Sequence, residues 1–134
     1  MIIEDDQDDQ YLLEEVFSIL EIKNELKFFE NGNKALHYLN TTTDKPFIIL
    51  SDVNLPGMSG PEFKRSINEN PYLRRKSIPF VFLTTTADPK AVEEAYDLLV
   101  QGYFQKPNKM EALKEMVKMI IDYWMNCRSP KGSG

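Results

Sequence analysis

Apolar positions along the chain fall into two alternating kinds of segment. Short runs rich in β-branched and aromatic residues occur at Met1–Ile3, Leu26–Phe29, Phe47–Leu50, Phe80–Leu83 and Tyr103–Phe104. Longer stretches with helical spacing lie between them. Leu13, Val16, Phe17 and Leu20 recur at i, i+3, i+4, i+7, and Val92, Ala95, Tyr96 and Leu99 repeat that spacing. Met110, Leu113, Val117, Ile120 and Trp124 form a third stripe, with Met116, Met119 and Tyr123 beside it as a possible exposed patch. Weaker helical stretches cover Asn33–Leu39 and Pro61–Asn70. Five strands in alternation with five helices predict an α/β domain, a parallel sheet with helices on both faces. The third and fourth runs are apolar at every position, as in strands buried on both sides.

Punctuation supports these elements. Asp88 followed by Pro89 reads as an N-cap and a proline in the first helical turn. Asn108 with Glu111 reads as a capping pair that opens the last helix. Pro71 is expected to end the third helix, and Pro79 to stop any helix before the fourth strand.

Size and charge narrow the classes of function. The 134 residues suit one domain, so 1–127 are taken as the domain and 128–134 as a flexible polar tail. Sixteen Lys and Arg against 21 Asp and Glu give a net charge of −5, which disfavours nucleic acid as a partner. No apolar run approaches the roughly 20 residues that cross a bilayer, and no signal peptide is evident, so a cytoplasmic location is expected. Cys127 is the only cysteine, which excludes an intramolecular disulfide and a Cys-rich zinc site. His37 is the only histidine and is expected at the surface of the second helix.

Open parallel sheets place their ligands beyond the carboxyl ends of the strands. There the chain carries Glu4-Asp5-Asp6, Asp52, Thr84-Thr85-Thr86 and Lys106-Pro107. Clustered carboxylates raise one another's pKa values unless a cation joins them, and magnesium prefers such oxygen ligands. A lysine suits a phosphoryl group as a point charge, and a threonine hydroxyl can donate to its oxygens. Together these groups point to magnesium-assisted phosphoryl transfer with an Asp as covalent acceptor. Each has a plainer reading alone: acids at a helix start, a turn Asp before Pro56-Gly57, loop threonines and a solvated lysine.

The motifs Ile2-Ile3-Glu4-Asp5-Asp6, Asp52-x-x-x-Pro56-Gly57-x-x-Gly60, Leu83-Thr84-Thr85, Tyr103 and Lys106-Pro107 resemble those of the CheY-like receiver domains of two-component response regulators. The resemblance covers the chain to about residue 126. It implies a flavodoxin-like sheet in the order 2-1-3-4-5. It implies Asp52 as phosphoacceptor from a histidine kinase or phosphotransfer protein. It implies magnesium held directly by Asp5 and Asp52, through water by Glu4, and by the backbone carbonyl of Asn54. Lys106 would pair with Asp52 and then with the phosphoryl group, and Pro107 would follow a cis bond. Thr85 would be the switch hydroxyl, with Thr84 the alternative by strand register, and Tyr103 would be the ring that turns inward.

The extended segment Asn70–Ser77, with Arg74, Arg75 and Lys76, resembles a subgroup of stand-alone receivers paired with phytochrome-type and hybrid kinases. A stand-alone receiver signals by protein contact, here through the 89–126 face, as a monomer or weak dimer. Two rivals weigh against this reading. A receiver that is never phosphorylated usually lacks an acid, the acceptor or the lysine, and all are present. A phosphatase with an aspartyl intermediate usually has a second Asp two residues on, where this chain has Asn54.

Overall fold

A computed structural model of the chain describes residues 1–128. Successive strand residues point to opposite faces, so a strand apolar at every position can feed two cores. The strands are β1 (Ile2–Ile3), β2 (Phe28–Phe29), β3 (Ile49–Ser51), β4 (Phe80–Thr84) and β5 (Gly102–Gln105). They form one parallel sheet in the order β2-β1-β3-β4-β5, as expected. Ile2, Leu50, Val81 and Leu83 face one core; Ile3, Ile49, Phe80 and Phe82 face the other.

The helices divide between those faces. Two of them, α1 (Gln7–Ile19) and α6 (Met110–Met125), cover the first core with Leu13, Val16, Phe17, Leu113, Val117 and Ile120. The other core is covered by α2 (Gly32–Thr41), α3 (Gly60–Glu69), α4 (Pro71–Lys76) and α5 (Pro89–Asp97). Each fully buried side chain of Phe or Leu size stabilises the fold by about 1.5–3 kcal/mol.

Three local expectations are corrected. First, the chain has six helices among its described residues, because Pro71 opens α4 instead of only ending α3. Asn70 ends α3 and caps α4 by accepting from Leu73 N–H, and proline in the first helical turn has no N–H to satisfy there. Leu73 then locks the short helix into the core. Second, the Asn108–Glu111 cap does not form: α6 starts after Lys109, and Glu111 pairs with Lys114 instead. Third, α5 stops at Asp97, and Leu99 takes a left-handed φ of 65° that turns the chain toward β5. That leaves Tyr96 and Leu99 exposed and only Ala95 of that stripe buried. The Asp88 cap forms as expected, accepting from Ala91 N–H. The proposed tail lies almost wholly outside the described residues.

Candidate functional site

Three residues of the site follow directly on strands and are held by bonds that continue the ladders. Glu4 N–H donates to Phe29 O, Asp52 N–H to Ile3 O, and Lys106 N–H to Thr84 O. The strands therefore aim these side chains at one edge. The loop after Asp52 is set by close packing of α3: a Cβ on Gly60 would sit far inside contact distance of the Asp52 carbonyl and the Phe82 ring. Ser59 and Glu62 close a reciprocal cap on that helix.

Lys106 is the centre of the charge network. Its ammonium lies 2.5 Å from Glu4 Oε1, 3.2 Å from Asp9 Oδ2 and 3.5 Å from Asp52 Oδ2. Burial works to lower the Lys106 pKa, but the bond to Glu4 and the charges of Glu4, Asp52 and Asp9 together raise it. Burial dominates at Glu4 and lifts its carboxyl above the ordinary range, although Lys106 pulls the other way. Asp9 was not legible as part of the site, since a fold contact alone brings α1 to Lys106.

The Glu4-Asp5-Asp6 triplet divides by role. Asp6 caps α1 by accepting from Asp8 and Asp9 N–H, so the helix-start reading holds for that residue. Glu4 is buried and its two oxygens already accept from Lys106 and from Asp6 N–H. Asp5 is exposed. Carboxylate oxygens of Glu4, Asp5 and Asp52 lie within 4.8 Å of one another. Three acids and one ammonium leave an excess of negative charge on hard oxygen donors, and this set fits magnesium.

The hydroxyl that reaches Asp52 belongs to Thr84, not to Thr85. Thr84 is fully buried and donates to Asp52 Oδ1 at 2.6 Å, whereas Thr85 is exposed. The reason is register: β4 continues to Thr84, which pairs with Gln105 and points to the same side as Phe82. Asp52 Oδ1 also accepts from Val53 N–H at 2.7 Å. Asn54 Nδ2 donates to the Thr86 hydroxyl, a partner the sequence does not announce. Tyr103 is half-buried against Phe82, and its hydroxyl donates to the Thr86 carbonyl. Burial, then the charges of Asp88 and Asp52, raise the Tyr103 pKa. The Lys106–Pro107 bond is trans, contrary to expectation. Trans is the default isomer even before proline, by about 0.5–1 kcal/mol. His37 is exposed on α2 and Cys127 is exposed after α6, both away from these groups in sequence.

Comparison with known proteins agrees with this geometry. The sequence pattern described as the response regulator receiver domain matches residues 1–118. The chain is similar to response regulator Rcp1 of Synechocystis sp., with 33% identity over 93% of this chain and 87% of the relative. It also resembles the crystal structure of the phosphorylated cyanobacterial phytochrome response regulator RcpA. The TM-score is 0.86 at 30% identity, covering 96% of this chain and 95% of the other. The Mn(2+)-bound form of Rcp1 aligns with a TM-score of 0.83 at 32% identity over 96% of each chain. No helix among the described residues is long and apolar enough to cross a membrane. Sheet order, the acid–lysine edge and these likenesses agree, and the chain belongs to the receiver-domain family of response regulators.

Proposed function

We propose that Asp52 accepts a phosphoryl group from a phosphohistidine of a histidine kinase or phosphotransfer protein. The observation that carries this reading is the state of the two Asp52 oxygens. Oδ1 is occupied by Val53 N–H and the Thr84 hydroxyl, which leaves Oδ2 beside Lys106 with free lone pairs. Oδ2 forms the new P–O bond as the P–N bond to the donor imidazole breaks, and the imidazole nitrogen keeps the bonding pair and takes a proton from solvent. Glu4, Asp5 and Asp52, with the Asn54 carbonyl, would hold magnesium. Bound there, magnesium supplies charge neutralisation for the phosphoryl oxygens. Lys106 adds a second positive charge without needing to move far, because Glu4 and Asp9 already aim it.

The added group carries about −1.5 to −2 charge, and Thr84 can transfer its hydrogen bond from Asp52 to the phosphoryl oxygen. Thr86 couples that movement to two neighbours, since it accepts from Asn54 and from Tyr103. The output then passes to a protein partner through the 89–126 face, where Tyr96, Leu99, Met119 and Tyr123 are exposed. The likeness to RcpA supports a phytochrome-type kinase as the donor, and a cytoplasmic site of action follows from that role.

The test is intact-mass measurement with acetyl phosphate and magnesium. The protein should gain one phosphoryl group, and Asp52→Asn should gain none because an amide is not a nucleophile there. Equal gain in both proteins would exclude Asp52 as the acceptor. Omitting magnesium should suppress the gain in the unmodified protein.

A further inference from the structure

The amino edge of the sheet, opposite Asp52, holds a second set of charged groups. There the segment that leads from α2 into β3 faces α4, and the two are strapped together. Asn70 Nδ2 donates to Asn40 Oδ1 at 2.9 Å, and the Tyr72 hydroxyl donates to the Thr42 carbonyl at 3.2 Å. Lys76 Nζ donates to the carbonyls of Thr42 at 3.3 Å and Asp44 at 3.2 Å. A cavity of about 610 Å³ lies between these walls, lined from residues 43, 45, 70–72, 75 and 76.

The charged residues that line this cavity are all cations. Lys45 Nζ is shut off from solvent, and no protein group accepts a hydrogen bond from it. Lys76 gives two of its three N–H groups to carbonyls, and its ammonium also lies 4.7 Å from the centre of the Tyr72 ring. Arg75 is exposed and brings five N–H groups in a planar fork. Among the described residues no carboxylate forms an ion pair with Lys45, Arg75 or Lys76. Three acceptors nearby are used: Asn70 Oδ1 takes Leu73 N–H, and the Thr42 and Asp44 carbonyls take Lys76. Three cations without acid partners gather here in a chain whose net charge is −5.

We propose that this cavity binds a phosphate-class oxyanion, either free phosphate or the phosphomonoester of a larger molecule. Residues of both walls line it, Lys45 on the α2–β3 segment and Arg75 and Lys76 on α4. A tetrahedral anion presents oxygens toward both walls at once, and the Arg75 fork can bind two of them. A carboxylate presents two oxygens in one plane and leaves one wall unmet. The site is separate from the acceptor site: Lys45 precedes β3 and Asp52 follows it, at opposite ends of the strand.

The experiment is an amide NMR titration without divalent metal, in a buffer free of phosphate. Inorganic phosphate, glycerol phosphate and acetate are compared at matched ionic strength against chloride. Saturable shifts centred on residues 42–46 and 70–77 are expected with phosphate, and they should persist in Asp52→Asn. Glycerol phosphate binding more tightly than phosphate identifies a phosphomonoester as the ligand; the reverse order identifies the free ion. Arg75→Gln and Lys45→Met should each weaken binding roughly tenfold, as for one charge-assisted hydrogen bond lost. Absence of saturation, shifts centred on residues 4–6, 52–54 and 106, acetate binding as tightly as phosphate, or unchanged affinity in the variants would each overturn the proposal. Should Lys45→Met not fold, Arg75→Gln at an exposed position carries the same test.

Discussion

The two ends of the sheet treat buried charge in opposite ways. At the carboxyl edge Lys106 is surrounded by Glu4, Asp9 and Asp52, and every group of the network has a partner. At the amino edge the Lys45 ammonium is shut off from solvent but has no acceptor, and Arg75 and Lys76 add further positive charge. The strands explain part of this difference. Glu4, Asp52 and Lys106 are the first residues beyond three parallel strands, so ladder bonds fix where each side chain starts. The amino-edge cations come from a loop and a six-residue helix, which the sheet does not aim. A paired cluster contributes to the stability of the fold, whereas an unpaired one awaits a ligand. Substitutions at the two ends should therefore differ in size and in sign.

Lys106→Met should have the largest effect. It leaves Glu4 buried without its cation, and breaking a buried pair in this way costs about 3–5 kcal/mol. Chemical denaturation at neutral pH measures the loss. The sign of its pH dependence follows from Glu4. Burial already raises that carboxyl above its unfolded value, so its folded form favours the proton. Without Lys106 the preference grows, and the deficit should shrink as pH falls toward the ordinary carboxylate range, where Glu4 becomes neutral. A deficit that is the same at neutral and mildly acidic pH would mean that Glu4 is not the group left unpaired. The same variant should lose most of its phosphoryl uptake.

Leu73→Ala should come next. Leu73 is 1% exposed and ties α4 to the core that contains Phe63 and Phe80. Truncating a buried leucine costs about 2–5 kcal/mol. Phosphoryl uptake at Asp52 should survive where the protein remains folded, because α4 leads into the amino end of β4 and Asp52 follows the carboxyl end of β3. Loss of uptake in folded Leu73→Ala would show that the two ends are coupled and would break the comparison.

These two positions also mark what could be read in advance. The alternation of apolar runs with helical stripes was enough for a parallel sheet covered on both faces, and the strand order came from the resemblance to receiver domains. The carboxyl-edge rule then gathered Glu4, Asp5, Asp52 and Lys106 without any contact being known. The helix α4 was hidden because six residues are too few to show a helical period, and Pro71 carries the same mark whether it ends one helix or opens another. Asp9 joins the site only through packing of α1, and the pairing of Asn54 with Thr86 arises only from the loop after β4. The choice between Thr84 and Thr85 turned on one residue of strand length. The apolar run ends at Leu83, but Thr84 continues the alternation and inherits the buried side.

Thr84→Ala against Thr85→Ala sharpens that last point. Thr84→Ala removes a buried methyl and hydroxyl and takes one donor from Asp52 Oδ1, so a loss of about 1–2 kcal/mol is expected. Thr85 is exposed, and its replacement should stay within about 0.5 kcal/mol. Both variants should accept a phosphoryl group on Asp52. Only Thr84→Ala should blunt the amide shifts that beryllofluoride, a phosphoryl mimic, produces at residues 86–105. Equal stability and equal shifts in the two variants would remove Thr84 from the switch.

Lys45→Met should have the smallest effect on stability and the opposite sign to Lys106→Met. Both substitutions replace a hidden ammonium by an uncharged thioether of similar length. In Lys106→Met the partners remain behind as uncompensated charge. In Lys45→Met no acceptor is left behind, because none accepts a bond from this ammonium in the first place. What changes is the cost of holding a cation away from water, which methionine does not incur. Lys45 also lines the neighbouring cavity with Phe17, Phe47 and Ile121, apolar surface that a methionine can contact as well as a lysine stem. The expected result in phosphate-free buffer is a change within about 0.5 kcal/mol, or a gain in stability, by denaturant midpoint at unchanged m-value. In saturating phosphate the order should reverse, since the unmodified protein gains from a ligand that binds only its folded form and the variant gains less. A loss near that of Lys106→Met in phosphate-free buffer would mean that Lys45 already has a partner in the fold, and the contrast between the two ends would collapse.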